Sequence, residues 1–180
     1  MTEETVVPAL WSRSGLIEDV FVNLESVEEI IAHEAVIIPL QLWPQISREL
    51  LRSHNIRIGV RVEAGEALDT LLDDLKFIEI LVLDFPAFND GRSFSKAARL
   101  RSHYGFSGEI RASGAVHIDQ IGAMLRAGFD TLQISDARAL RRLLAGELHD
   151  TGLYYQPVAG GIHGAEQGLA GYSWRRRQGF

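Results

Sequence analysis

Cysteine is missing from all 180 residues. That absence excludes structural disulfides, thiolate metal sites, cysteine-ligated iron-sulfur clusters and a cysteine nucleophile. Lysine is nearly missing as well: Lys76 and Lys96 are the only two, so arginine carries almost all the positive charge. Arginine forks suit planar or tetrahedral anions, although genome composition explains the bias equally well.

Long apolar runs are lacking too. None approaches the roughly 20 residues that a membrane helix needs, and the opening MTEETVVPALWSRSG has neither the basic start nor the apolar centre of a secretory signal. A cytoplasmic location without membrane contact is expected. The formal net charge of -6 opposes binding to a phosphate backbone. The one basic run is Arg175, Arg176 and Arg177, so a nucleic-acid partner is not expected.

Several chemical motifs are also absent. There is no G-x-x-x-x-G-K-[ST] loop, no G-x-S-x-G elbow and no glycine-rich dinucleotide fingerprint after a strand, so no cofactor is identified. The six histidines, His33, His54, His103, His117, His149 and His163, never adopt H-x-x-x-H or H-E-x-x-H spacing, and no metal site is expected.

What remains is an ordinary globular composition, 46% hydrophobic and 23% charged, sized for one core. We read residues 1–155 as a single domain whose first 15 residues form an arm or short hairpin, and residues 156–180 as a glycine- and aromatic-rich tail. Short apolar runs predict strands at 35–40, 56–62, 78–84, 109–112 and 131–135.

Helical spacing lies between them. Val27, Ile30 and Ile31 follow a capping box of Ser26 and Glu29. Trp43, Ile46 and Leu50 share a stripe with Pro44 in a first turn. Leu68, Leu71, Leu72 and Leu75 give the full i, i+3, i+4, i+7 pattern. Ala97, Leu100 and Tyr104 form the next stripe, and Ile118, Ile121, Met124 and Leu125 another that Gly128 closes. Asp136 caps a last helix burying Leu140, Leu143 and Leu144.

Strands apolar on both faces and separated by helices imply an α/β fold with a parallel sheet. The favoured reading is a partial or small TIM-barrel-like arrangement of repeated strand-helix units; the alternative is an open doubly wound sheet.

In either architecture ligands bind beyond the carboxyl ends of the strands. Those ends supply Gln41, Glu63, Asp84, Asn89, Asp90, Arg92, Arg111, Ser113 and Asp136. The segment DFPAFNDGRSFSKAAR stands out, with a tight turn at Asp90 and Gly91 and with Arg92 and Ser93 at a helix start that favours an anion. Two readings stand there: an anion pocket closed by Phe85 and Phe88, or a helix cap from Asn89 or Asp90 with aromatics filling the core edge. Asp84 and Asp90 are the candidate general bases if burial raises their pKa. Arg111 lies on a buried strand and needs a partner, Asp84 or a bound anion, with a structural ion pair favoured. Asp119 and Gln120 follow in the next loop with Ser113.

The segment FPAFNDGRSFSKAARLRSHYGFSGEIRASGAVHIDQIGAMLRAGFDTLQI, with IIPLQLW before it and YYQP after it, resembles the bacterial family called domain of unknown function 934. The shared pattern takes in Phe85, Pro86, Phe88, Asp90, Gly91, Arg92, Arg111, Gly114, Asp119, Gln120, Arg126, Gly128, Phe129 and Asp130. Ala115 and Val116 stand where an acidic residue is expected, which weakens any carboxylate role there. The resemblance implies a context of assimilatory sulfite reduction and, for some members, an oxidoreductase label; it implies no catalytic residues.

Three functions follow as expectations. The first is an accessory protein of sulfite or sulfate reduction that touches sulfite reductase or another sulfur-assimilation protein, or delivers a small ligand to it. The second is a small-molecule enzyme or anion-binding domain using the strand-end aspartates and arginines. The third is a homo-oligomeric scaffold.

Overall fold

A computed structural model describes residues 8–147; the predicted tail at 156–180 lies outside them. The described residues form one eight-stranded sheet: β1 (Ala9–Ser12), β2 (Gly15–Ile17), β3 (Val22–Asn23), β4 (Ala35–Pro39), β5 (Arg57–Val62), β6 (Ile80–Phe85), β7 (Glu109–Gly114) and β8 (Thr131–Ile134). The α-helices are α1 (Arg48–Ser53), α2 (Arg92–Ser102), α3 (Ile121–Ala127) and α4 (Ala137–Leu144).

Strands β3 to β8 are parallel and lie in sequence order, and β1 joins β8 antiparallel with β2 outside it. This sequential order has no reversal point, so the crevice of a doubly wound sheet does not arise.

Alternation along the strands divides their side chains between two faces. Val36, Ile38, Val60, Leu81, Leu83, Ile110, Ala112 and Leu132 pack with Leu71, Leu100, Met124 and Leu143 from the connecting segments. Each such buried Val, Leu, Ile or Met side chain contributes about 1.5–3 kcal/mol. The opposite face holds a smaller cluster of Phe21, Ala35, Ile37, Ile80 and Val82.

The sheet is a curled half-barrel, and chain length requires the curl. A flat sheet would place β2 and β3, its two edges, about 34 Å apart at ~4.8 Å per strand. Residues 18–21 join them, and that link spans at most about 18 Å when extended. The edges must therefore approach, with the link crossing the inner face, where Phe21 is buried.

Four local expectations are corrected. The leucine-rich segment is a 3-10 helix, Asp69–Phe77, and not an α-helix. Nine residues at the 3-10 rise cover about 18 Å, close to the six-residue strands they must run back along. The stripe around Trp43 is likewise 3-10 over Leu40–Gln45, with Pro44 inside it, before α1 begins. Ser26 bonds Glu28 and not Glu29, the following turn has no side-chain cap, and Ile31 is exposed. In α4 Leu144 faces solvent while Ala139 is buried. The Gly128 and Asp136 caps form as their chemistry dictates: Gly128 is left-handed at φ 108°, and Asp136 accepts from the Arg138 N–H.

Candidate functional site

At the end of β6 the strand alternation turns Asp84 to the inner face and buries Phe85 under the helices. Phe85 meets Phe94 edge-on at 5.1 Å and Phe129 at 5.7 Å, so it fills the core edge. Asp84 is registered opposite Ser113 on β7, whose hydroxyl donates to Oδ1 at 2.9 Å. The Asp84 carbonyl accepts from the fully buried Ser93 hydroxyl at 2.6 Å, which ties the first turn of α2 to the strand end.

Gly114 follows Ser113 with φ +81°, and a Cβ there would lie 2.7 Å from Asp84 Oδ1 and closer still to the Phe85 carbonyl. The close approach of β6 and β7 at this point thus requires glycine.

Asp90 pairs with Arg92 two residues on. The Arg92 Nε and Nη2 donate to it at 3.0 and 2.6 Å, and Oδ1 also accepts the Arg92 backbone N–H at 3.2 Å. The Arg92 side chain and then its N–H hold the Asp90 carboxyl down at about 2. The condition placed on Asp90 as a base is therefore corrected: its pKa is lowered, leaving a weak proton acceptor at neutral pH. Asp90 instead satisfies an early N–H of α2, the capping reading of this loop.

One turn beyond Arg92, Lys96 donates to the Glu63 carbonyl at 2.5 Å and the Ala64 carbonyl at 3.1 Å, just past β5. Burial is the main cause lowering its pKa. Gln41 and the Glu63 N–H both bond Glu66 beside it. Lys96 and Glu66 were not among the sequence candidates. The signal available was Lys96 at i+4 from Arg92 on the helix leaving β6.

Gln120 bridges the neighbouring loops by donating Nε2 to the Phe88 carbonyl at 2.8 Å, while its Oε1 is buried without a hydrogen-bond partner. Phe88 is exposed and meets His117 edge-on at 5.2 Å. Asn89 and Asp119 are exposed.

Arg111 goes elsewhere. It is 1% exposed and lies on the inner face, where Nη1 donates to Asp19 at 2.7 Å and Nε to Glu109 at 3.0 Å. The Asp84 pairing is thus corrected: the fork turns back along its own strand toward Glu109, while Asp84 is engaged with Ser113. A structural ion pair forms, with Asp19 as a partner 92 residues away.

The strand-end residues accordingly fall into separate groups. Asp84, Ser93 and Ser113 form one, and Asp90 and Arg92, with Lys96 beside them, form another; Gln120 spans the loops, and Arg111 lies apart from all three. A groove of about 390 Å³ opens at the other end of the sheet, lined in part by Asn55, Arg57, Lys76, Phe77 and Glu79. There Arg57 is already bonded through Nε and Nη2 to Glu79 at 2.5–3.0 Å. Arg57 and Glu79 neutralise each other and Lys76 lies over the Phe77 ring, so the strand ends remain the better candidate. Among the described residues no cluster of three His, Asp or Glu side chains is placed for a metal, and no helix is long and apolar enough to cross a membrane.

No curated protein matches the chain. A family model does, from Gly59 within β5 to residue 163, and so covers the ends of β5 to β8 described above but not Gln41. The chain belongs to the family described as bacterial protein of unknown function (DUF934).

Proposed function

We propose that the chain is an accessory protein of assimilatory sulfite or sulfate reduction, working in the cytoplasm by contact with sulfite reductase or another sulfur-assimilation protein, or by delivering a small ligand to it. The pathway rests on the family resemblance; the contact rests on the seam of the half-barrel. Leu16, Ile17, Val20 and Val22 are 38–53% exposed along β2, β3 and the link between them. Apolar side chains beside edge strands suit docking of another chain. In this reading the fold is an incomplete TIM-barrel-like unit whose missing wall is the seam.

The test is sedimentation velocity of the purified chain with purified sulfite reductase at low and physiological salt, beside the rate of sulfite reduction. A complex weakened about tenfold or more by Val20→Glu is expected, because a buried charge removes at least 1.4 kcal/mol of contact energy. No complex at low salt overturns the reading. The same run with the chain alone detects the homo-oligomeric scaffold.

The orphaned Gln120 Oε1 supports a second reading, a ligand site at the strand ends. Gln120, Asn89, Arg92, Ser93, Ser113 and Asp119 would hold a small anion or donor-bearing molecule there, an oxidoreductase substrate included, with Asp84 as the remaining base. Thermal shift against anions, nucleotides and flavins tests it. A response lost in Arg92→Ala and Gln120→Leu supports the site, and no response to any ligand removes it.

A further inference from the structure

The inner face holds an arrangement that packing alone does not require. Arg111 sits almost wholly buried beside the apolar chains of Ile80 and Val82. A buried ion pair gives little net stability over well-packed apolar residues of like volume. The Arg111 fork is pinned on one side by Glu109, which also accepts from Thr131 at 2.5 Å, and its other side is filled by Asp19.

Asp19 and Phe21 act together. The Phe21 N–H donates to Asp19 Oδ1 at 3.2 Å while Oδ2 takes Arg111. The Phe21 ring lies 4.7 Å from the Arg57 guanidinium carbon and 5.9 Å from that of Arg111. A carboxylate on one arginine with an aromatic ring against two is the outline of a small aryl acid.

The segment that supplies both groups is lightly held. Of residues 18–21 only Phe21 is buried, and Val20 is 53% exposed. Few buried apolar contacts place such a segment at the low end of local stability. Lifting it without replacing Asp19 would leave Arg111 with Glu109 alone and its Nη1 side unpaired, so an anion is the favoured replacement.

We propose that the inner face around Arg57 and Arg111 is a binding site for a small molecule carrying an anionic group on a planar ring. Residues 18–21 occupy that site in the free protein, Asp19 standing where the anion binds and Phe21 where the ring binds. The site goes beyond the partner contact proposed above and is tested on the isolated chain, so its failure leaves that contact standing.

The experiment is calorimetric titration of the full chain with benzoate, phenyl phosphate and inorganic phosphate. Asp19→Asn removes the competing charge and keeps the acceptor for the Phe21 N–H. It should bind benzoate or phenyl phosphate about tenfold or more tightly than the natural chain, because a site occupied by its own segment is available in only a fraction of molecules. Adding Arg111→Met should abolish that gain. Benzoate against phenyl phosphate tells a carboxylate from a phosphate ligand. Inorganic phosphate binding as tightly as phenyl phosphate overturns the ring assignment.

A folded Asp19→Asn chain that gains affinity for neither aryl acid overturns the proposal. Should that variant not fold, hydrogen exchange on the natural chain decides. Residues 18–22 should exchange faster with either aryl acid at millimolar concentration, and unchanged exchange with both overturns the site.

Discussion

Replacing Gly114 by alanine should be among the most damaging single-methyl additions in the chain. The residue sits at φ +81°, where an L side chain costs about 1–2 kcal/mol. The new methyl would also lie 2.7 Å from Asp84 Oδ1 and closer to the Phe85 carbonyl. The nearer obstacle, the Phe85 carbonyl, is backbone of β6, which is buried at every residue but Asp84, and it cannot yield as the Asp84 side chain could. Overpacking of this kind costs about 1–3 kcal/mol, so the total should be about 2–5 kcal/mol, a large share of the roughly 5–15 kcal/mol typical of a domain.

Two controls separate the causes. Gly105 has φ +62° with nothing within 4 Å of an added Cβ, so Gly105→Ala should carry the dihedral cost alone, about 1–2 kcal/mol. Gly122 lies inside α3 with open space around it, and Gly122→Ala should stabilise by up to about 1 kcal/mol. Urea unfolding followed by tryptophan fluorescence measures all three, since Trp11 and Trp43 are buried. If Gly114→Ala costs no more than Gly105→Ala, the tight approach of β6 and β7 at the site is wrong.

Arg101 donates to the carbonyls of Phe106, Gly108 and Gly128 and pairs with Asp130. Arg101→Met should therefore lower stability by about 2–4 kcal/mol in urea melts, and a loss under 1 kcal/mol, roughly that of an ordinary surface change, would contradict the clamp. Ser93→Ala and Ser113→Ala should each cost about 1 kcal/mol for the bond lost at Asp84; a smaller loss at Ser93, the more buried of the two, would refute its anchoring of α2. The Asp90 carboxyl should titrate in NMR near 2, moving up toward 3.8 in Arg92→Ala. Because the folded pKa is the lower one, the contribution of this pair is present above the unfolded value and lost as pH falls through about 2. A midpoint unchanged by Arg92→Ala would show that the pair does not form in solution.

Much of the sheet was legible because buried parallel strands are nearly continuous apolar runs. All five predicted strands match β4 to β8 within two residues at each end. β3 escaped notice since two residues at an edge carry no period, and the leucine-rich segment misled because a 3-10 helix also brings i and i+3 together. At the site, Asp90, Arg92 and Ser93 were legible as a turn entering a helix. Lys96 reaching the Glu63 carbonyl was not, since that bond joins residues 33 apart.

The sequence by itself determined the alternation of strands and helices, the caps at Gly128 and Asp136, and the residues that reach the strand ends, because each follows from chemistry within a few residues along the chain. Tertiary structure alone decided which of those residues meet. Asp19 reaches Arg111 because the short link at 18–21 must cross a curled sheet, and Arg111 turns from Asp84 because Glu109 lies two residues back on its own face. Curvature and lateral strand order are set by closure of the whole sheet, and no local stretch of sequence encodes them.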